Sequence, residues 1–195
     1  MISYSKLFNR FKDELSSEEN FGTTDITRKI KGFFVQEFSE YFVAPSPDVK
    51  EFLVDVFVAT RNPRAFSREA VGKEFRAILA VESELGGEGG GSQQYLMRNV
   101  LEDFAKLLVI NSEYKVLIFT SLPYAAELNY IDKRLEEIGM IYSDAGHPGN
   151  ILLIHLQSSP QKTERGNPTN PKVSLSRAAM SAYVLSKGMN IQKLE

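Results

Sequence analysis

Apolar positions in the first twenty residues recur at helical spacing: Ile2, Leu7, Phe8, Phe11 and Leu15 mark one helix. Phe21-Gly22-Thr23-Thr24 breaks the pattern, and Asp25 is placed to cap a second helix. Residues 26–42 then carry Ile26, Ile30, Phe33, Phe34, Phe38 and Phe42 on one oily helical face. Glu37 stands at the margin of that face, as a solvated helix residue or an acidic group leaning toward a site. A turn at residues 44–48 leads to residues 51–59, an apolar, β-rich run with Asp55 in its middle. That run is long enough for a strand buried on both faces. Residues 60–75 carry Arg61, Arg64, Arg68 and Lys73 and read as a connection, either solvated or placed to meet phosphates.

The next strand covers residues 78–85. Its alternation puts Ile78, Ala80, Glu82 and Glu84 on one face and Leu79, Val81, Ser83 and Leu85 on the other. A glycine-rich run from Gly86 to Gly91 lets the chain leave the strand end without crowding it. Ser92 is a fair N-cap for a helix over residues 93–110, whose apolar face includes Leu96, Val100, Phe104 and Leu107. Residues 114–120 form a short buried strand. Residues 123–139 form a helix ending at Gly139, and residues 150–156 a further buried strand. Strands joined through helices of this length pair in parallel. The expected sheet is therefore mixed, antiparallel around residues 51–85 and parallel afterwards. Residues 157–172 are polar and rich in Pro and Asn, which predicts a loop. Residues 174–187 predict a last, weak helix, an edge cover or a dimer arm. With no internal repeat, the pattern predicts one domain over residues 1–195, with its core at about 25–156 and a C-terminal extension at 157–195.

Composition narrows the chemistry. The chain has 195 residues, ample for one buried core, and a net charge of −2, so no global basic field advertises nucleic acid. A nucleic-acid partner would need a local patch or a metal. The absence of cysteine excludes disulfides, thiolate metal sites and a cysteine nucleophile. The first residues lack the unbroken apolar core of a signal peptide, and no apolar run approaches a membrane span. The expectation is a cytoplasmic protein without a membrane partner.

The acidic residues carry the strongest chemical signal. An aspartate inside an apolar strand is costly unless paired, hydrogen-bonded or metal-bound. Two glutamates on one strand face repel each other, and a hard divalent cation relieves both problems. The order helix, strand with Asp55, strand with Glu82-Ser83-Glu84, helix and strand resembles the PD-(D/E)xK nuclease superfamily. The helix carrying Asp103 and Lys106, followed by Ser112-Glu113-Tyr114-Lys115, strengthens the likeness. The resemblance runs from about residue 25 to residue 156.

It implies an α/β, restriction-endonuclease-like fold with a mixed central sheet flanked by helices. It also implies that Asp55, Glu82 and the main-chain carbonyl of Ser83 bind Mg2+, with Mn2+ as a substitute. The partner would be DNA, cut by phosphodiester hydrolysis, by a monomer or a homodimer. Two departures stand out. The usual lysine is replaced by Glu84, as in some type II restriction endonucleases with Glu-Ser-Glu, and Val54 replaces the usual proline before the aspartate. Glu84 would then orient water or help hold a second metal. Lys106 or Lys73 would supply the missing cation from a neighbouring element. For Lys106 the plainer reading is an ion pair with Asp103 or Glu102.

The remaining candidates are weaker. His147 falls in a turn and His155 in an apolar strand, where it reads as a satisfied core residue. No histidine and acid accompany Ser92 or Ser112 in a hydrolase pattern, and the glycine run lacks the lysine of a nucleotide-binding loop. Two rival readings remain: a catalytically inactive nuclease-fold protein serving as a nucleic-acid-binding or assembly module, and an α/β metabolic enzyme with an acidic metal site.

Overall fold

A computed structural model describes residues 3–46, 49–63, 74–86, 93–121, 130–162 and 168–195. The elements, in chain order, are α1 (Tyr4–Leu15), β1 (Asn20–Gly22), α2 (Thr23–Glu37), β2 (Phe42–Ala44), β3 (Val56–Ala59) and β4 (Ala77–Glu84). They continue with α3 (Gln93–Val109), β5 (Tyr114–Ser121), α4 (Tyr130–Asp144), β6 (Ile151–Lys162), β7 (Pro168–Ser174), β8 (Met180–Ser186) and β9 (Asn190–Leu194). The strands form one curled mixed sheet in the order β1-β7-β6-β5-β4-β3-β2, with β8 on β6 and β9 on β8.

The sheet is parallel at its centre, where β5 lies between β4 and β6. It is antiparallel where β3 meets β4 and β2 meets β3. This is the mixed α/β architecture with flanking helices that the periodicity predicts. The cause is visible in burial: Leu79 to Val81, Val116 to Phe119 and Ile151 to Ile154 are fully buried, as parallel strands covered on both faces must be. One face receives Phe8 and Phe11 of α1 and Ile26, Ile30 and Phe34 of α2. The other receives Leu96, Val100, Phe104 and Leu107 of α3 and Leu135 and Ile138 of α4. A register shift where β3 meets β4 moves Ile78 onto the α1–α2 side with Leu79, so it does not share Ala80's face.

Several boundaries differ from the pattern. Helix α2 stops at Glu37, and Phe42 opens β2 opposite Ala59. Phe38 and Phe42 continue the oily spacing because both still pack inward, not because the helix persists. Asp25 does not cap α2: the cap is Gly22, and Asp25 sits in the first turn, paired with Arg28. The run at residues 51–59 yields only four residues of strand. Before it, the Val54 N–H donates to the Phe52 carbonyl, and Leu53 adopts φ 68° and is 72% exposed. Asp55 therefore precedes β3 instead of lying mid-strand.

Helix α4 runs past Gly139 to Asp144, because Ile138 and Tyr142 continue its buried stripe. Gly139 stands against β9, where a Cβ would meet Ile191 at 3.7 Å, an ordinary contact. The start expected for this helix, near residue 123, lies outside the described residues, as do Gly87 to Ser92. The C-terminal third departs most. The expected loop at 157–172 contains the second half of β6 and most of β7, paired antiparallel. The expected helix at 174–187 is a 3-10 turn at Arg177–Ala179 followed by β8, which pairs with the first half of β6. The fully apolar start of β6 needs an edge partner, and Met180, Ala182 and Leu185 bury themselves in providing it. No helix among the described residues is long and apolar enough to cross a membrane.

Candidate functional site

The antiparallel register of β3 and β4 pairs Val56 with Val81. Asp55 and Glu82 are the next residues outward on their strands, so the two acids meet at the same end of the sheet. The contact is direct. The Asp55 N–H donates to Glu82 Oε2 at 3.4 Å. Asp55 Oδ2 accepts from the Ser83 N–H at 2.8 Å and from the Ser83 hydroxyl at 2.7 Å. Of the residues singled out from sequence, Asp55, Glu82, Ser83 and Lys106 are brought together.

Glu82 is 3% exposed. Burial, then the charges of Asp103 and Asp55, push its carboxyl up to about 7, against the opposing pull of Lys106 and the Asp55 N–H. Its Oε1 is sealed and makes no hydrogen bond among the described residues. Lys106 Nζ, from the last turn of α3, stands 3.5 Å from that oxygen and donates to Asp103 Oδ1 at 2.6 Å. Lys106 thus makes the ion pair with Asp103 of the plainer reading and also pairs with Glu82. The Asp103 carboxyl is itself raised by burial, with Lys106 opposing.

Two members escaped the sequence. Lys31 of α2 pairs with Asp55 Oδ1 at 3.4 Å and also with Glu51. Burial works against its ammonium, yet Glu51 and Asp55 outweigh that and hold its pKa above the ordinary value. Its only sequence signal is its place beside Ile30, flanking the buried stripe of α2 as Glu37 does. Glu51 sits on the irregular segment before β3. Together Glu51, Leu53, Val54, Asp55, Glu82 and Lys106 line an open cavity of about 190 Å³.

Glu84 is placed differently. Its Oε1 accepts the Gly86 N–H at 2.7 Å, where Gly86 turns the chain at φ 79°. It lines a neighbouring depression with Thr23, Thr24, Thr27, Ser83 and Leu85. Burial raises its carboxyl, and the Asp103 and Asp55 charges add to the effect against the Gly86 N–H. Glu37 is outside the site, bound to Arg10 at 2.6 Å. Arg64, Arg68 and Lys73 lie outside the described residues. His155 is buried against Ser121 Oγ at 3.1 Å, and burial pushes its imidazole down to about 4, as a core histidine behaves. His147 accepts from Lys115 Nζ in the turn after α4.

Among the described residues, no three Asp, Glu or His side chains converge as a protein-only metal cage. Mg2+ does not need one: it keeps several waters and takes one or two carboxylates. Asp55 and Glu82 supply two, and Glu82 Oε1, sealed and without a hydrogen bond, is met by the Lys106 ammonium at 3.5 Å. The donor set therefore fits a hard divalent ion. No protein-family model matches this sequence, and no curated protein matches it.

Proposed function

We propose that the chain is a metal-dependent nuclease of the PD-(D/E)xK type that hydrolyses DNA phosphodiester bonds. The observation that carries this reading is the buried Glu82 Oε1, left without a hydrogen bond beside Asp55 and beneath a lysine. Asp55, Glu82 and the Ser83 carbonyl would hold Mg2+ or Mn2+. When bound, the ion supplies charge neutralisation and activation of water.

The chain's own groups do the rest. The Ser83 N–H and hydroxyl fix the Asp55 carboxylate, so its other oxygen, the one paired with Lys31, is oriented before any ligand arrives. Lys106 has its side chain 48% exposed, with its ammonium on the cavity wall. It favours the ionised form of Glu82 and offers a cation to a phosphate entering from solvent. It thereby stands in for the lysine that Glu84 replaces. Asp103 anchors it. Glu84, tied to the turn at Gly86, is the nearby carboxylate that orients water.

The test is incubation of the full chain with plasmid and with single-stranded DNA, in Mg2+ or Mn2+ and in EDTA. Nicking or degradation that EDTA abolishes and Asp55→Asn removes is the expected result. DNA retention without cleavage in either metal would replace this reading with the inactive, nucleic-acid-binding module. Neither retention nor cleavage would leave the metabolic-enzyme reading.

A further inference from the structure

The two oxygens of Asp55 are not equivalent. Oδ2 is occupied by two short donations from Ser83. Oδ1 faces Lys31 Nζ at 3.4 Å, and Lys31 is the one cation paired with Asp55 among the described residues. Lys31 has a second acidic partner in Glu51, whose side chain is 59% exposed. The backbone beneath Lys31 is fixed, because its neighbours Ile30 and Phe34 on α2 are fully buried. Only the side chain is free to move, and the partner it would keep stands at the cavity rim.

Resting on the nuclease reading above, we propose that Lys31 is a tethered counter-ion that occupies Asp55 in the metal-free protein and is displaced to Glu51 when a divalent cation loads. An ammonium and a divalent ion cannot both sit on Asp55 Oδ1, since their like charges repel within a few ångströms. Without the metal, Lys31 gives the partly buried carboxylate a counter-charge beyond its two hydrogen bonds from Ser83. Its release leaves no stranded cation, because the bond to Glu51 remains. Lys31 is thus a positioning residue that sets metal affinity, distinct from Lys106, whose partners are Glu82 and Asp103.

The sign of the effect separates this role from a merely structural one. A residue that only propped up Asp55 would, when removed, loosen the carboxylate and weaken metal binding. A competitor, when removed, tightens it. Mn2+ binding is measured by calorimetry on the full-length wild type, Lys31→Met and Lys31→Arg, with circular dichroism to verify folding. The expectation is an affinity about two- to fivefold tighter in Lys31→Met, the range of one partly exposed ion pair, and no tightening in Lys31→Arg. Equal or weaker binding in a folded Lys31→Met overturns the proposal. The wild type supplies a check that needs no variant. Side-chain ammonium NMR should show the Lys31 signal shift as diamagnetic Mg2+ is added, and a signal unmoved at saturating Mg2+ overturns the proposal. A wild type that binds no Mn2+ would remove the nuclease reading and this inference together. Tight binding indifferent to Lys31 would remove this inference alone.

Discussion

Replacing Glu82 by Gln should stabilise the metal-free protein, and only at neutral to alkaline pH. The Glu82 carboxyl is raised from 4.5 to about 7, first by burial and then by the Asp103 and Asp55 charges. A raised acid binds its proton more tightly when folded than when unfolded. Its contribution is therefore fully present below pH 4.5 and is lost as pH rises through about 7. Above that, folding must hold an ionised carboxylate in a poor environment. At about 1.4 kcal/mol per pKa unit, the ceiling is about 3 kcal/mol. The side chain is only 5% exposed, but it borders an open cavity whose water screens part of the charge. About 2 kcal/mol is then the expected gain at pH 8. Gln keeps an oxygen to accept the Asp55 N–H, and it loses only the 3.5 Å pairing with Lys106. The assay is urea unfolding of both proteins in EDTA at pH 4.5, 6 and 8. The midpoints should separate progressively with pH and coincide at the lowest value. A variant no more stable than wild type at pH 8 would show that Glu82 is already compensated, and the case for a cation-seeking oxygen would fail.

Asp55→Asn should abolish metal-dependent nicking. It should also lower stability by about 1–2 kcal/mol in urea, because Asp55 is bonded to Ser83 and paired with Lys31 instead of being the unpaired charge its strand pattern suggests. Lys106→Ala should reduce plasmid nicking about 100-fold while leaving the fold intact by circular dichroism; unchanged nicking would end its assignment. Glu84→Ala should lose most nicking, with Mn2+ affinity falling less than in Asp55→Ala by calorimetry. Full activity would reduce Glu84 to a residue that caps the turn at Gly86. His155, lowered to about 4 by burial, should cost the wild type about 3 kcal/mol of stability as pH falls from 6.5 through that value, since only the unfolded chain takes up the proton. Urea midpoints of His155→Gln should be correspondingly flatter over that range.

The parts of the fold legible in the sequence are those where burial leaves little choice of residue. Strands β4 and β5 and the start of β6 are continuous apolar runs because helices cover both their faces. The amphipathic stripe of α3 reads through for the same reason. Legibility fails where burial is one-sided or small. The polar residues from Gln157 to Ser159 lie in a strand, satisfied by edge pairing and by the Ser158 hydroxyl on the Ser121 carbonyl at 3.3 Å, with no apolar pattern required. Residues 174–187 bury Leu175, Ala179, Met180, Ala182 and Leu185, spacings that serve a helix or a turn and strand equally. Of the candidate site, Asp55 and Glu82 are legible because charges are rare in apolar runs, whereas Glu51 at the start of its run is not. Lys31 is not legible either, because a lysine flanking a helical stripe is ordinary until the irregular segment before β3, which supplies its partners, is known.

The same limit explains the most consequential error, the unbroken strand expected over residues 51–59. Apolar letters do not show that Leu53 turns outward at φ 68°. Yet that interruption builds the site. It delays the start of β3 to Val56, leaves the Asp55 N–H to reach Glu82, and brings Glu51 to Lys31. A regular strand would have used the same backbone groups for pairing. The Glu-Ser-Glu at the end of β4 divides in turn. Glu82 is sealed on the cavity shared with Asp55 and Lys106, and Glu84 is already bonded to the glycine turn in the next depression. The two glutamates are therefore not an equivalent pair competing for one ion. Each gives one oxygen to a backbone N–H, Glu82 Oε2 to Asp55 and Glu84 Oε1 to Gly86, but Glu82 Oε1 faces the Lys106 ammonium on the cavity it shares with Asp55. That difference of place is what supports Glu82 as the ligand in the proposed site, and Glu84→Ala is the variant that tests whether Glu84 takes part at all.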